Sequence, residues 1–189
     1  MTILIDDSNW GCLLRGCLIG TYRIETKEML VGEIPVHYFQ EPKFSAKEYL
    51  TVAANIAEEN LNKLHIDKNE PITCCSGFVL SEIREMLWNK KYHFNVGKIV
   101  GDFQEKLEAY SLQYLEEIGF KRGTLQLEEY KNLFYECLVW LKDGDMDSNP
   151  IPEREIHAKT GWGSYGIWAY HDLKTAQILA KERKDNNRW

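Results

Sequence analysis

Asp6 and Asp7 stand side by side where an apolar run, Ile3-Leu4-Ile5, gives way to Ser8-Asn9-Trp10-Gly11. Such a run reads as a short buried strand, and the acids fall at its carboxyl end. Open α/β sheets place ligands at strand carboxyl ends. Grouped carboxylates suit hard divalent cations such as Mg²⁺ or Mn²⁺ better than His or Cys does. Asp-Ser-Asn is also ordinary turn chemistry, so the elements around the pair decide its meaning. A third acid with a distinctive setting is Asp172, in a stretch of helical spacing. Ala169 and Ala176 share its face, three residues back and four on.

Other groups carry weaker signals. Lys159-Thr160-Gly161-Trp162-Gly163-Ser164 joins a cation, a hydroxyl and an indole just before a helix start, an arrangement able to receive phosphate or stack a base. Lys159, Thr160 and Trp162 are therefore candidate substrate contacts. The alternative is a Gly-rich connection with Trp162 docked on the core. Its glycine spacing is not that of a Walker loop. Asp143, Asp145 and Asp147 have the spacing of a calcium loop. Ser148 replaces the required Gly and Arg154 the bidentate Glu, so a solvated acidic loop is the better reading. The five cysteines are odd in number and form no Cys-x-x-Cys pair, which excludes a simple disulfide framework and a structural zinc site. Cys74-Cys75 would need a histidine beside it to act as a nucleophile, and none is close in sequence.

The chain of 189 residues is long enough for one cored domain, and its 44% apolar and 28% charged residues are ordinary for a globular protein. A net charge of −6 denies nucleic acid any long-range attraction, leaving only a local basic patch to bind it. No apolar run reaches membrane-spanning length, and no signal-peptide pattern follows Met1. The expectation is a soluble cytoplasmic protein without a membrane partner.

The elements that must position these residues follow in order. After the first strand come two β-like runs, Leu13–Glu25 and Met29–Tyr38, joined by a polar connection of hairpin length. Pro35 points to an edge or a bulge. Ser45-Ala46-Lys47-Glu48 has the form of a capping box, opening a helix to about His65. Ile72–Cys75 is a fourth strand, expected parallel to the first, and a helix follows over Val79–Lys90. Phe94–Val100 gives a fifth strand. A third helix runs from Phe103 to Ile118 and is closed by Gly119. Thr124–Leu141 is an amphipathic helix whose Leu127, Phe134 and Leu141 stripe must cover itself on the domain or on a second copy of the chain. A last helix runs from about Tyr165 to Lys184, ahead of a basic tail.

Three antiparallel strands followed by helix, strand, helix, strand and helix resemble the ribonuclease H-like superfamily. Residues 1 to about 119 carry the resemblance, and it resumes in the last helix. It implies one α/β domain over 1–189, with a mixed five-stranded sheet, helices on both faces, and an insertion at 120–163. The stretch His171-Asp172-Leu173-Lys174-Thr175-Ala176 resembles the final-helix acid of the Holliday-junction-resolvase branch. The resemblance implies a metal-dependent nuclease or nucleic-acid-processing protein. Asp6 and Asp172 would be its catalytic acids, and Asp6, Asp7, Glu82 and Asp172 its Mg²⁺ or Mn²⁺ ligands. The family's acid near the fourth strand is replaced here by Cys74-Cys75-Ser76-Gly77. Glu82, Glu48 and Glu58 are the substitutes within reach. The rival readings are a catalytically silent module that binds a protein through exposed Trp and Tyr, and a small-molecule enzyme on the same sheet edge.

Overall fold

The computed structural model describes residues 2–121, 130–142 and 152–162. It is an α/β fold built on a five-stranded mixed sheet. The strands are β1 (Ile3–Ser8), β2 (Cys17–Arg23), β3 (Glu28–Ile34), β4 (Ile72–Cys74) and β5 (Phe94–Val96). Their order across the sheet is β3-β2-β1-β4-β5. β1 is central: it pairs antiparallel with β2, Asp6 opposite Gly20, and parallel with β4, Ile3 beside Ile72. β3 is antiparallel to β2 and β5 parallel to β4. The expected meander and the expected parallel fourth strand are both present.

Alternation along β1 divides its residues between two faces. Ile3 and Ile5 enter the larger core with Leu50, Ala53, Ala57 and Leu61 of α1 (Glu48–Lys63) and Ile83 and Leu87 of α2 (Ser81–Asn89). Leu4 faces the other way, toward Phe103 and Leu107 of α3 (Asp102–Glu116). Gly20 lets α3 close on that side. A Cβ there would stand 2.9 Å from Leu107 Cδ1 and 3.0 Å from Phe103 Cζ, closer than packed side chains tolerate.

Several boundaries differ from the sequence expectation, each for a local reason. β3 stops at Ile34, because Pro35 has no N–H to extend the ladder and a short 3₁₀ turn, Val36–Phe39, follows. Ser45 does not cap α1: its hydroxyl donates to Glu41 at 2.7 Å, and Lys47 precedes the helix in the left-handed region at φ 56°. α3 opens at Asp102, one residue ahead of the expected start, and the Asp102 carboxylate accepts from the Tyr22 hydroxyl at 2.6 Å. Gly119 does sit past the end of α3, at φ 82°.

The amphipathic helix after α3 is α4 (Tyr130–Lys142). Leu133, Cys137, Leu138 and Leu141 pack with Cys12, Leu13, Leu14, Leu115 and Phe120 in a second core. Phe134 and Leu141 of its stripe pack within the chain itself, and Leu127 lies outside the described residues. α5 (Pro152–Glu155) leads into an isolated antiparallel bridge between Ala158 and Leu14. No helix among the described residues is long and apolar enough to cross a membrane.

Candidate functional site

β1 ends on Asn9, in the left-handed region at φ 66°, which Asn adopts more readily than most residues. Its side chain is buried, donating to Leu14 O at 2.9 Å and Gly16 O at 2.8 Å. Ser111 of α3 donates to the Asn9 Oδ1 at 3.4 Å. The turn is thereby fixed to both β2 and α3. Between this turn and α3 lies a cleft of about 310 Å³, bordered by Asp6, Asn9, Trp10, Gln104 and Glu108.

Asp6 lies on the α3 side of the sheet, consistent with the alternation that places Leu4 there. It is only 9% exposed. Burial holds its carboxyl above the ordinary carboxylate range, and the charge of Glu108 adds to the rise. A hydrogen bond from the Cys75 thiol and the Asp7 N–H, at 2.9 Å from Asp6 Oδ1, work in the opposite direction. Cys75 is one residue past β4, and its N–H still donates to Ile5 O at 2.9 Å, continuing the parallel pairing. That pairing is what brings its thiol beside Asp6.

Asp7 points to the opposite face. Burial first, and then the neighbouring Asp6, push its carboxyl up to about 6 from 3.8; the Lys159 charge and a Cys17 contact pull the other way. Gly77 is needed for this approach, since a Cβ there would lie 2.9 Å from Asp7 Oδ1. The folded chain holds the Asp7 proton more tightly than the unfolded chain does. Stability should therefore fall as pH rises from about 4 to about 6, by roughly 3 kcal/mol from this group. Asp7→Asn should be the more stable protein at pH 7 and flatten that slope. Denaturant titrations at acid, intermediate and neutral pH check it, and an unchanged slope refutes it.

Lys159, expected as a substrate contact, is fully buried. Its ammonium donates to Asn9 O at 2.5 Å and Trp10 O at 3.2 Å, and lies 4.8 Å from the Phe39 ring and 5.0 Å from that of Trp162. A cation so enclosed is not offered to a phosphate in solution; it holds the cleft's turn in place. Thr160 is half-buried and its N–H donates to Ala158 O at 3.0 Å. Trp162 leans on Trp10, ring centroids 6.0 Å apart. This is the docked connection that sequence offered as the alternative.

Glu82 opens α2 and accepts a hydrogen bond from Thr51 Oγ1 of α1 at 2.8 Å; it does not border the cleft. Asp172 and the final helix lie outside the described residues. The thiols of Cys17, Cys74 and Cys75 are all raised by burial, Cys74 to about 12, which removes the thiolate that a nucleophile needs. Sequence reading missed Glu108, one of several acids along α3; only the docking of α3 beside Gly20 sets it across from Asp6.

Comparison with protein-family models finds no match, and a search of curated proteins finds no relative. The site therefore has to be read from its own chemistry.

That chemistry is a pair of hard oxygen donors, Asp6 and Glu108, bordering one cleft, with a soft thiol against the first of them. Among the described residues no three His, Cys, Asp or Glu side chains gather into a metal site. Mg²⁺ and Mn²⁺ often make do with one or two carboxylates, completing their shell with water and substrate phosphate. Asp6 and Glu108 are the residues of this cleft that could hold such an ion.

Proposed function

We propose that this chain is a ribonuclease H-like protein that takes a divalent cation in the cleft at the end of β1 and acts there on the phosphodiester backbone of a nucleic acid. The observation that carries the reading is the position of Asp6. It lies in the carboxyl-terminal half of the central strand of a sheet ordered β3-β2-β1-β4-β5 and borders a cleft shared with Glu108. The sheet order and strand directions are those the resemblance implies, which supports this fold family over other α/β folds.

Asp6 and Glu108 would hold Mg²⁺ or Mn²⁺, with Asp172 of the last helix as the further acid that the resemblance supplies. A bound ion would activate water and stabilise the leaving oxygen. The chain's own part is positional. The Asp7 N–H and the Cys75 thiol orient the Asp6 carboxylate. Asn9 and Lys159 fix the turn that walls the cleft, and the Gln104 amide donates to Glu108 Oε1 at 2.9 Å, orienting that carboxylate. Cys75 favours a second reading, a silent module of the same fold, because it puts a thiol beside Asp6 where the family carries a carboxylate.

Calorimetric titration of Mn²⁺ into wild type, Asp6→Asn and Glu108→Gln tests the proposal, with hydrolysis followed on single-stranded, duplex and branched substrates. Weak binding by wild type is expected, falling about tenfold in each variant, with turnover lost in Asp6→Asn. Equal binding by all three proteins refutes the cation site. Binding without turnover favours the silent module.

A further inference from the structure

A second concavity lies at the opposite end of the sheet. β4 and β5 run parallel to β1, so their amino ends point away from the acidic cleft. The turn before β4 and the connection after α2 meet there. Ile72 N–H donates to His93 O at 2.9 Å, and His93 N–H to Lys68 O at 2.8 Å. Together they enclose about 530 Å³, with Lys68, Asn69, Trp88, Lys91, Tyr92 and His93 in the wall.

Three features of this wall belong together. Trp88 is 75% exposed, the most exposed large apolar side chain of the described residues, and it packs on no other ring among them. A single exposed indole is ordinary on a protein surface; this one lines a concavity that also presents two lysines. Lys68 and Lys91 are exposed and pair with no carboxylate among the described residues, whereas nearby Lys63 and Lys90 are paired with Glu59 and Glu58. Among the described residues the wall itself carries no acid. Two acids flank it in sequence and both are engaged: Asp67 by the Asn69 N–H at 2.8 Å and its side-chain amide at 2.9 Å, and Glu70 by the Asp67 N–H at 3.0 Å and by Arg23 at 3.6 Å.

We propose that this concavity binds single-stranded nucleic acid, with a base stacked on Trp88 and flanking phosphates on Lys68 and Lys91. An open π face beside free cations is the arrangement that holds single strands without sequence preference. A paired base has no free face to lay on the indole, so duplex is the poorer ligand. The protein's charge of −6 means that attraction must be local, and this wall is locally basic. The site shares a partner class with the acidic cleft and none of its residues, so each can fail without the other.

The test is anisotropy of a fluorescein-labelled oligodeoxythymidine of about 15 nucleotides, a length within single-strand site sizes, in EDTA so that no cation bridges it to the acidic cleft. Trp88→Ala should weaken binding about tenfold. Lys68→Ala combined with Lys91→Gly should weaken it and reduce the salt slope by about 1.4, about 0.7 for each phosphate contact. Lys91 sits at φ 60°, which glycine adopts freely, so that variant keeps the turn. Wild-type affinity in both wall variants overturns the proposal. So does displacement of the oligonucleotide by polyglutamate as readily as by unlabelled oligonucleotide, which would mark a charge-only contact with an acidic protein.

Discussion

Lys159→Ala should be among the most destabilising single substitutions in this protein, at about 3–5 kcal/mol, the upper part of the range for truncating a large buried side chain to alanine. The ammonium is fully buried, and its partners are two backbone carbonyls and two ring faces. Truncation removes both charge-assisted bonds and empties the space of a four-carbon stem. The Trp10 carbonyl loses the cation it faces, while the Asn9 carbonyl keeps the Cys12 N–H at 3.3 Å. Lys159→Met separates packing from charge. It refills the space and removes the burden of a buried charge, so its loss should be about 1–2 kcal/mol, near that of a hydrogen bond left unmade. The effect should be local as well as global. The segment from His157 to Trp162 is stitched across the β1–β2 turn: Arg15 N–H donates to His157 O at 2.7 Å and Lys159 N–H to Leu13 O at 2.9 Å. Amide exchange at Trp10 and Gly11 should therefore quicken in Lys159→Ala under native conditions. Denaturant unfolding with exchange by mass spectrometry checks both parts; a loss under about 1 kcal/mol, the value of an ordinary hydrogen bond, would show that the ammonium does not hold the turn.

Lys159 also shows where sequence reading stops. Lys-Thr-Gly-Trp-Gly looks like an exposed basic loop, since nothing within the motif could bury a cation. Its partners are Asn9 and Trp10, 150 and 149 residues away, and they become neighbours only through the bridge of Ala158 to Leu14. Glu108 was hidden for a related reason. Helical spacing assigns Phe103 and Leu107 to the core side and leaves the α3 acids equivalent until the helix docks beside Gly20. By contrast, the sheet was legible almost entirely. Hairpin length, a β-prone Ile72-Thr73-Cys74 and the helices between strands are local signals for strand direction, while the central place of β1 was an implication of the resemblance. Asp6 was legible on the same terms. Asp7 was not: adjacent acids on a strand look like a pair, yet the pleat sends them to opposite faces. The Ser45 capping box failed because Glu41, four residues earlier, competes for the same hydroxyl.

Cys75→Asp should raise the affinity of the cleft for Mn²⁺ on the order of a hundredfold, since each added carboxylate ligand raises the affinity of an oxygen site for such ions. The position is already defined by backbone pairing, through the Cys75 N–H to Ile5 O bond of 2.9 Å, so the new side chain starts beside Asp6 as the thiol does. Cys75 is half-buried, and Asp is close to it in length, so the carboxylate can be accommodated with one side wet. Without a cation the variant should be the less stable protein at neutral pH. Two carboxylates at contact repel, and one of them must hold its proton above the ordinary range. A carboxyl whose folded value is raised weakens the fold above that value and releases the strain as pH falls through it. Mn²⁺ removes the same repulsion by ligation, so saturating Mn²⁺ should lift the melting temperature of Cys75→Asp far more than that of wild type. Cys75→Asn is the control: similar in size and uncharged, it should gain neither affinity nor Mn²⁺-dependent stability. If the cleft is a hydrolytic site held back by the thiol, Cys75→Asp should also cleave branched or duplex substrate faster than wild type, and Asp6→Asn added to it should abolish the gain. Calorimetry, melting with and without Mn²⁺, and cleavage assays on the three variants decide the matter. Mn²⁺ affinity in Cys75→Asp no greater than in Cys75→Asn would mean that the cleft at the end of β1 is not built around a cation.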